Sequence, residues 1–179
     1  MLLSRFLVAL NQKLNTIPTK KSSSSIEFYL QNFPFLLIMV LYQKRGVTIV
    51  DRILSTKLSF PFNYGFVPET WSNDNDPLDA VVLSSKPQNT GAVIESRIIG
   101  LLATKDEKGT DAKLITVPSS ETNPIFTKIN TIEDLDEQTL NNIQYFYKNY
   151  KIIEPGKWVD IDGYASKEEA ESKLKIAIE

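Results

Sequence analysis

The sequence predicts an α+β fold: a small barrel of short strands with helices packed against it. Three observations lead there. Short β-branched and apolar runs bounded by Pro, Gly, Asn and Asp fill the middle of the chain. Helical periodicity begins only near Asp136. A length of 179 residues with 42% hydrophobic content supports one ordinary globular core and excludes a large multidomain enzyme.

Taken in order, Val47-Thr48-Ile49-Val50 is short and β-branched and predicts a strand ending at Asp51-Arg52. Ala80 to Leu83, Ala92 to Leu102 and Leu114 to Val117 are the further strands. The first helix is predicted over Asp136 to Tyr150, where Leu140, Ile143, Tyr147 and Tyr150 recur at spacings of three, four and three. The second starts at Ser166-Lys-Glu-Glu169, a capping-box pattern, and places Ala170, Leu174, Ala177 and Ile178 on one face. No internal repeat is visible.

The start of the chain reads differently, and we divide it into an atypical basic segment, 1–42, and a folded body, 43–179. Residues 1–50 carry six basic residues against the single acid Glu27. Residues 51–179 hold the other 14 basic residues and 21 of the 22 acids, a net charge of −7. Met1 to Lys21 has scattered apolar residues, positive charge and no acid, followed by Ser22–Ser25, which resembles an organelle transit segment more than a secretory signal. The apolar run Phe33 to Tyr42 is far shorter than the roughly 20 residues a membrane helix needs and reads as a buried strand.

Two zeros in the composition restrict the chemistry. With no histidine and no cysteine, Ser-His-Asp and Cys-His catalysis, Cys/His zinc sites, disulfides and imidazole proton shuttles are all excluded. Acid–base work must fall to carboxylates, Lys, Tyr or a metal held by oxygen, which favours a hard cation such as Mg²⁺ or Mn²⁺. The acidic body argues against a nucleic-acid surface, which needs a basic stripe.

Three features concentrate the candidates. Asp74-Asn-Asp76-Pro-Leu-Asp79 packs three carboxylates into six residues ahead of a strand, a costly clustering unless cations neutralise it. On its own it is also an ordinary Asx/Pro turn, and it is not an EF-hand loop, because Asp79 stands where that loop needs Gly. Asp106-Glu-Lys-Gly-Thr-Asp111-Ala-Lys113 reads as a charged loop between strands, turning at Gly109. The third feature is Asp51-Arg52, Phe60-Pro-Phe-Asn63-Tyr64-Gly65-Phe66 and Tyr150-Lys151. Here the phenylalanines read as core, whereas Tyr64 and Tyr150 need polar partners and Lys151 can face an anion. No G-x-x-x-x-G-K-[ST] loop is present.

Asp74-Asn75-Asp76-Pro77-Leu78-Asp79-Ala80 resembles the signature of family I soluble inorganic pyrophosphatases. Val50-Asp51-Arg52, Pro61 to Phe66, Gly100-Leu101-Leu102, Asp106 to Lys113, Phe146 to Lys151 and Gly156-Lys157-Trp158-Val159 follow in family order and spacing, from about Gly46 to Val159. The resemblance implies an OB-like five-stranded β-barrel with two α-helices from the C-terminal half packed on it. It implies hydrolysis of inorganic pyrophosphate to two phosphates by a metal-activated water, with several Mg²⁺ ions per site and Mn²⁺ as a substitute. On matching positions, Asp74, Asp79 and Asp111 resemble metal ligands, with Asp106 joining Asp111 at a further ion. Asp76 resembles the carboxylate that takes the proton of the attacking water. Arg52, Lys113, Tyr64, Tyr150 and Lys151 resemble the groups that grip pyrophosphate and the departing phosphate. The family further implies a cytoplasmic homohexamer with neither nucleic acid nor membrane as partner.

The chain departs from that pattern at its start. Family members carry a Glu and then a Lys-x-Glu motif upstream of Val-Asp-Arg, and the same spacing falls here on Tyr29, Ile38 and Val40. Phe60 replaces a tyrosine common in bacterial members. Two origins fit this switch: a frameshifted or misassembled gene start, or a divergent start with a transit-like leader. Either predicts weakened catalysis.

Overall fold

Five strands close into a ring in the computed structural model, which describes residues 6–9, 38–44, 47–54, 56–72, 76–89 and 92–178. In chain order the strands are β1 (Phe6–Ala9), β2 (Ile38–Lys44), β3 (Val47–Leu54), β4 (Asn63–Phe66), β5 (Asp79–Val82), β6 (Val93–Asp106), β7 (Gly109–Thr110), β8 (Lys113–Pro118) and β9 (Val159–Ala165). The ring runs β1–β4–β5–β8–β6 and returns to β1, because β1 pairs with both β4 and β6. Only the β5–β8 pairing within it is parallel. Strand β9 lies antiparallel on the outer part of β6, and β2–β3 form a separate hairpin. The five-stranded barrel with two helices is therefore present.

Strands β5 and β8 and the middle of β6 are buried on both faces, which is why they read as continuous apolar runs. Alternate residues serve two different cores. Val81, Ile99 and Ile115 join an aromatic cluster under helix α1 (Glu137–Asn149), with Phe60, Phe62, Tyr64, Phe146 and Tyr147. Their neighbours Ala80, Val82, Ile98 and Leu114 pack with Leu174 and Ala177 of helix α2 (Lys167–Ile178). A one-residue slip in any of these strands would exchange the two sets.

Both helices start as the sequence predicts. Asp136 caps α1 by accepting from the Thr139 amide at 2.8 Å, and Ser166 Oγ accepts from the Glu169 amide at 3.3 Å. Ile143, Phe146 and Tyr147 are the buried face of α1, with Leu140 and Tyr150 partly buried beside it. Ile178 departs from expectation: it is 54% exposed, because α2 ends there and the stripe closes at Ala177.

Gly100 shows how tightly β6 is covered. A Cβ at this position would lie 2.1 Å from Ile132 Cγ1 and 2.9 Å from the Ala165 carbonyl. Of the expectations for the chain start, Ile38 to Tyr42 fall on β2 and Phe6 to Ala9, inside the transit-like stretch, form β1, while the rest of that stretch, Ser22–Ser25, Phe33 and Tyr29 lie outside the described residues. Among the described residues no helix is long and apolar enough to cross a membrane.

Candidate active site

Strand register builds the first part of the site. The parallel pairing Ala80↔Leu114 sets the preceding residues, Asp79 and Lys113, side by side at one end of β5 and β8. Lys113 is 4% exposed, and its ammonium bonds Asp79 Oδ2 and both oxygens of Asp111, at 2.6 and 2.7 Å. Asp111 is held there by its backbone: its amide donates to the Thr104 carbonyl at 2.8 Å, and the Thr104 hydroxyl donates to the Asp111 carbonyl.

Two carboxylates share one ammonium, so this cluster has a negative surplus. Burial, reinforced by the charge of Asp111 and opposed by Lys113, raises the Asp79 pKa from 3.8 to about 6. Burial alone would push the Lys113 ammonium toward neutrality. The charges of Asp111 and Asp79 outweigh that and hold its pKa well above the ordinary value.

A second cluster sits at the end of β6. Lys151 follows α1 directly, is 5% exposed, and donates to Asp106 Oδ2 at 2.8 Å and Glu107 Oε2 at 3.0 Å. Glu107 also accepts from Lys157 at 2.6 Å. Burial disfavours the Glu107 charge, but the hydrogen bonds from Lys157 and Lys151 prevail and lower its pKa from 4.5 to about 2. Here two acids meet two cations.

Tyrosines connect the clusters. Lys113 Nζ lies 5.9 Å from the Tyr64 ring centroid and 5.8 Å from that of Tyr147, and Lys151 Nζ lies 5.8 Å from that of Tyr150. Tyr147 and Tyr150 meet edge to face at 6.0 Å. Burial raises the pKa of Tyr64 and Tyr150, so both stay protonated donors, and the charges of both lysines act on Tyr150.

The acidic turn before β5 is anchored at its base. Thr70 Oγ1 donates to the Val67 carbonyl at 2.6 Å and accepts from the Leu78 amide at 2.9 Å. The Ser72 amide donates to the Asp76 carbonyl at 2.8 Å, and Asp76 is partly exposed. Asp74 lies outside the described residues, as does the side chain of Arg52, whose backbone lies on β3 opposite Val40.

Of the predicted residues, Asp79, Asp111, Lys113 and Tyr64 come together as one group, and Asp106, Lys151 and Tyr150 as a second. Among the described residues no three acids gather as a metal cage; they assort in pairs on the two lysines. Glu107, Lys157 and Tyr147 also stand among these groups, beyond the residues that the family resemblance assigns. Glu107 adjoins Asp106 and Lys157 lies in Gly156-Lys157-Trp158, so both stood within the family motifs; Tyr147 was hidden by its helical spacing, which reads as core.

The inorganic pyrophosphatase family model matches residues 17–179, reaching upstream of the motifs that begin near Gly46. An inorganic pyrophosphatase of Saccharolobus solfataricus is 47% identical over 137 residues, covering 76% of this chain and 80% of that protein. One from Helicobacter pylori is 41% identical over 136 residues, covering 76% and 79%. Among solved structures, the Coxiella burnetii inorganic pyrophosphatase superposes with a TM-score of 0.81 at 28% identity, covering 98% of this chain and 94% of that one. The Helicobacter pylori enzyme gives 0.80 at 32% identity, covering 98% and 92%. With the barrel, the paired carboxylates on its strand ends and the match along nearly the whole chain, this protein belongs to the inorganic pyrophosphatase family.

Proposed function

We propose that the chain hydrolyses inorganic pyrophosphate to two phosphates with a metal-activated water. The observation that carries this reading is the buried Lys113 shared by Asp79 and Asp111, an all-oxygen donor set with more acid than base. Mg²⁺ is commonly held by one or two carboxylates together with water and phosphate oxygens, so the pair fits it, and the resemblance adds Asp74 and Asp106. Bound there, the metal offsets the charge of the substrate and lowers the pKa of a water.

The chain's own residues do the rest. Asp76, partly exposed at the edge of the anchored turn, accepts the proton of the attacking water. Lys113 and Lys151 bind the phosphate groups as fixed cations, the resemblance adds Arg52 to them, and the protonated hydroxyls of Tyr64 and Tyr150 donate to their oxygens. Lys113 and Lys151 are held before the substrate arrives, and phosphoryl transfer depends mostly on such positioning and electrostatics. The test is phosphate release from pyrophosphate at increasing Mg²⁺. Asp76→Asn should lower the rate by at least 100-fold; unchanged release in that variant removes the role assigned to Asp76, and absence of release by the unaltered chain at any Mg²⁺ removes the function.

A second reading, a weak relative that binds metal and phosphate or serves in assembly, is favoured by one observation. Ile38 and Val40 stand on β2 where a Lys-x-Glu is expected, and Val40 pairs with Arg52 across the hairpin. On this reading the double change Ile38→Lys, Val40→Glu raises the rate; an unchanged rate counts against it. We further propose a cytoplasmic homohexamer. The exposed Ile152, Ile153 and Trp158 offer apolar surface for self-association, and sedimentation as a monomer would remove that part.

A further inference from the structure

Tyr147 carries a hydroxyl with no assigned role. The residue is 3% exposed on the inner face of α1, and its Oη has no hydrogen-bond partner among the described residues. Its ring stacks on Phe62 at 5.6 Å and meets Tyr64 and Tyr150 edge to face at 6.5 and 6.0 Å. Lys113 Nζ is 5.8 Å from its centroid, and the charges of Lys113, Asp79 and Asp111 all reach its phenol.

A purely packing role at this position would suit phenylalanine better, since burying an unmet hydroxyl costs stability. The group is neither remote nor at a surface. It stands between the two tyrosines of the site and beside the ammonium that faces both carboxylates. A polar partner that arrives with the substrate would satisfy it, and the anion drawn by Lys113 supplies oxygen acceptors.

We propose that Tyr147 is a third phosphate-binding tyrosine, its hydroxyl donating a hydrogen bond to an oxygen of the diphosphate bound beside Lys113. This rests on the pyrophosphate reading of the site. It gives Tyr64, Tyr147 and Tyr150 a common function as donors that approach the substrate from one aromatic wall.

The test is Tyr147→Phe, which removes one oxygen and leaves the ring. Binding of methylenebisphosphonate with Mg²⁺ is measured by calorimetry, KM and kcat by phosphate release from pyrophosphate, and melting in chelator without ligand. The variant should melt no lower than the unaltered chain, bind methylenebisphosphonate about tenfold more weakly, as for the loss of a hydrogen bond worth about 1.4 kcal/mol, and show a higher KM. An unchanged affinity overturns the proposal. So does a lower melting temperature in chelator, which would mean the hydroxyl already has a partner inside the protein. If the unaltered chain neither binds methylenebisphosphonate nor releases phosphate, the pyrophosphate reading fails and this proposal with it. Binding by the unaltered chain with no change in the variant strikes Tyr147 alone.

Discussion

The two lysine clusters have similar parts and opposite electrostatics. Around Lys113 two carboxylates share one buried ammonium, and the Asp79 pKa rises to about 6. Around Lys151 the acids Asp106 and Glu107 meet a second cation, Lys157, and the Glu107 pKa falls to about 2. Burial opposes carboxylate charge in both, so the difference comes from the count of cations. The first cluster keeps a negative surplus that a divalent ion would offset; the second is already neutralised by the protein.

The largest expected effect comes from breaking the first cluster. Lys113→Met leaves Asp79 and Asp111 without their common partner, and removal of one member of a buried ion pair costs about 3–5 kcal/mol. Denaturant unfolding in chelator should show that loss, and Mg²⁺ should restore part of it if the surplus charge attracts the metal. Recovery of the same size with Na⁺ at equal ionic strength would mean screening instead.

Next in size is the contrast in pH dependence. Native Asp79, with its pKa raised, holds more protons than the unfolded chain between 3.8 and about 6, so its contribution is favourable below 3.8 and is lost as pH rises through 6. Glu107 behaves oppositely: its contribution is present above 4.5 and is lost as pH falls toward about 2. Stability curves in chelator for Asp79→Asn and Glu107→Gln should therefore differ from the unaltered chain with opposite slopes. Parallel curves would erase the distinction between the clusters.

The smallest effect belongs to Lys157→Met. Its side chain is 31% exposed, and a partly exposed pair of this kind contributes about 1 kcal/mol or less. Glu107 should then titrate closer to 4.5, readable by NMR, while Asp79 stays put.

Much of this was legible beforehand, and the reasons are local. Ser166 and Asp136 announce helix starts because a cap needs only a side-chain oxygen near the first free amides. Asp79, Asp106, Asp111, Lys113 and Lys151 stand in motifs that resemble those of the family, and the fold brings them into two groups. Strand β9, by contrast, was missed: Val159-Asp-Ile-Asp-Gly-Tyr-Ala holds two acids and a glycine, and it is a strand because β6 offers it an edge. Strand β4 was hidden likewise, its Asn63-Tyr64-Gly65-Phe66 owing its extended form to β1 and β5 on either side.

The sequence by itself determined the chemistry available. Without histidine or cysteine, carboxylates, lysines and tyrosines were left for any acid–base or anion-binding work. Only the tertiary structure decided how they divide. Asp79 meets Lys113 through the parallel register of β5 and β8, residues 34 apart in the chain, and Lys151 meets Asp106 across 45. Pairings at such separations are set by which strands and helices pack together, and the charge balance of each cluster follows from that packing.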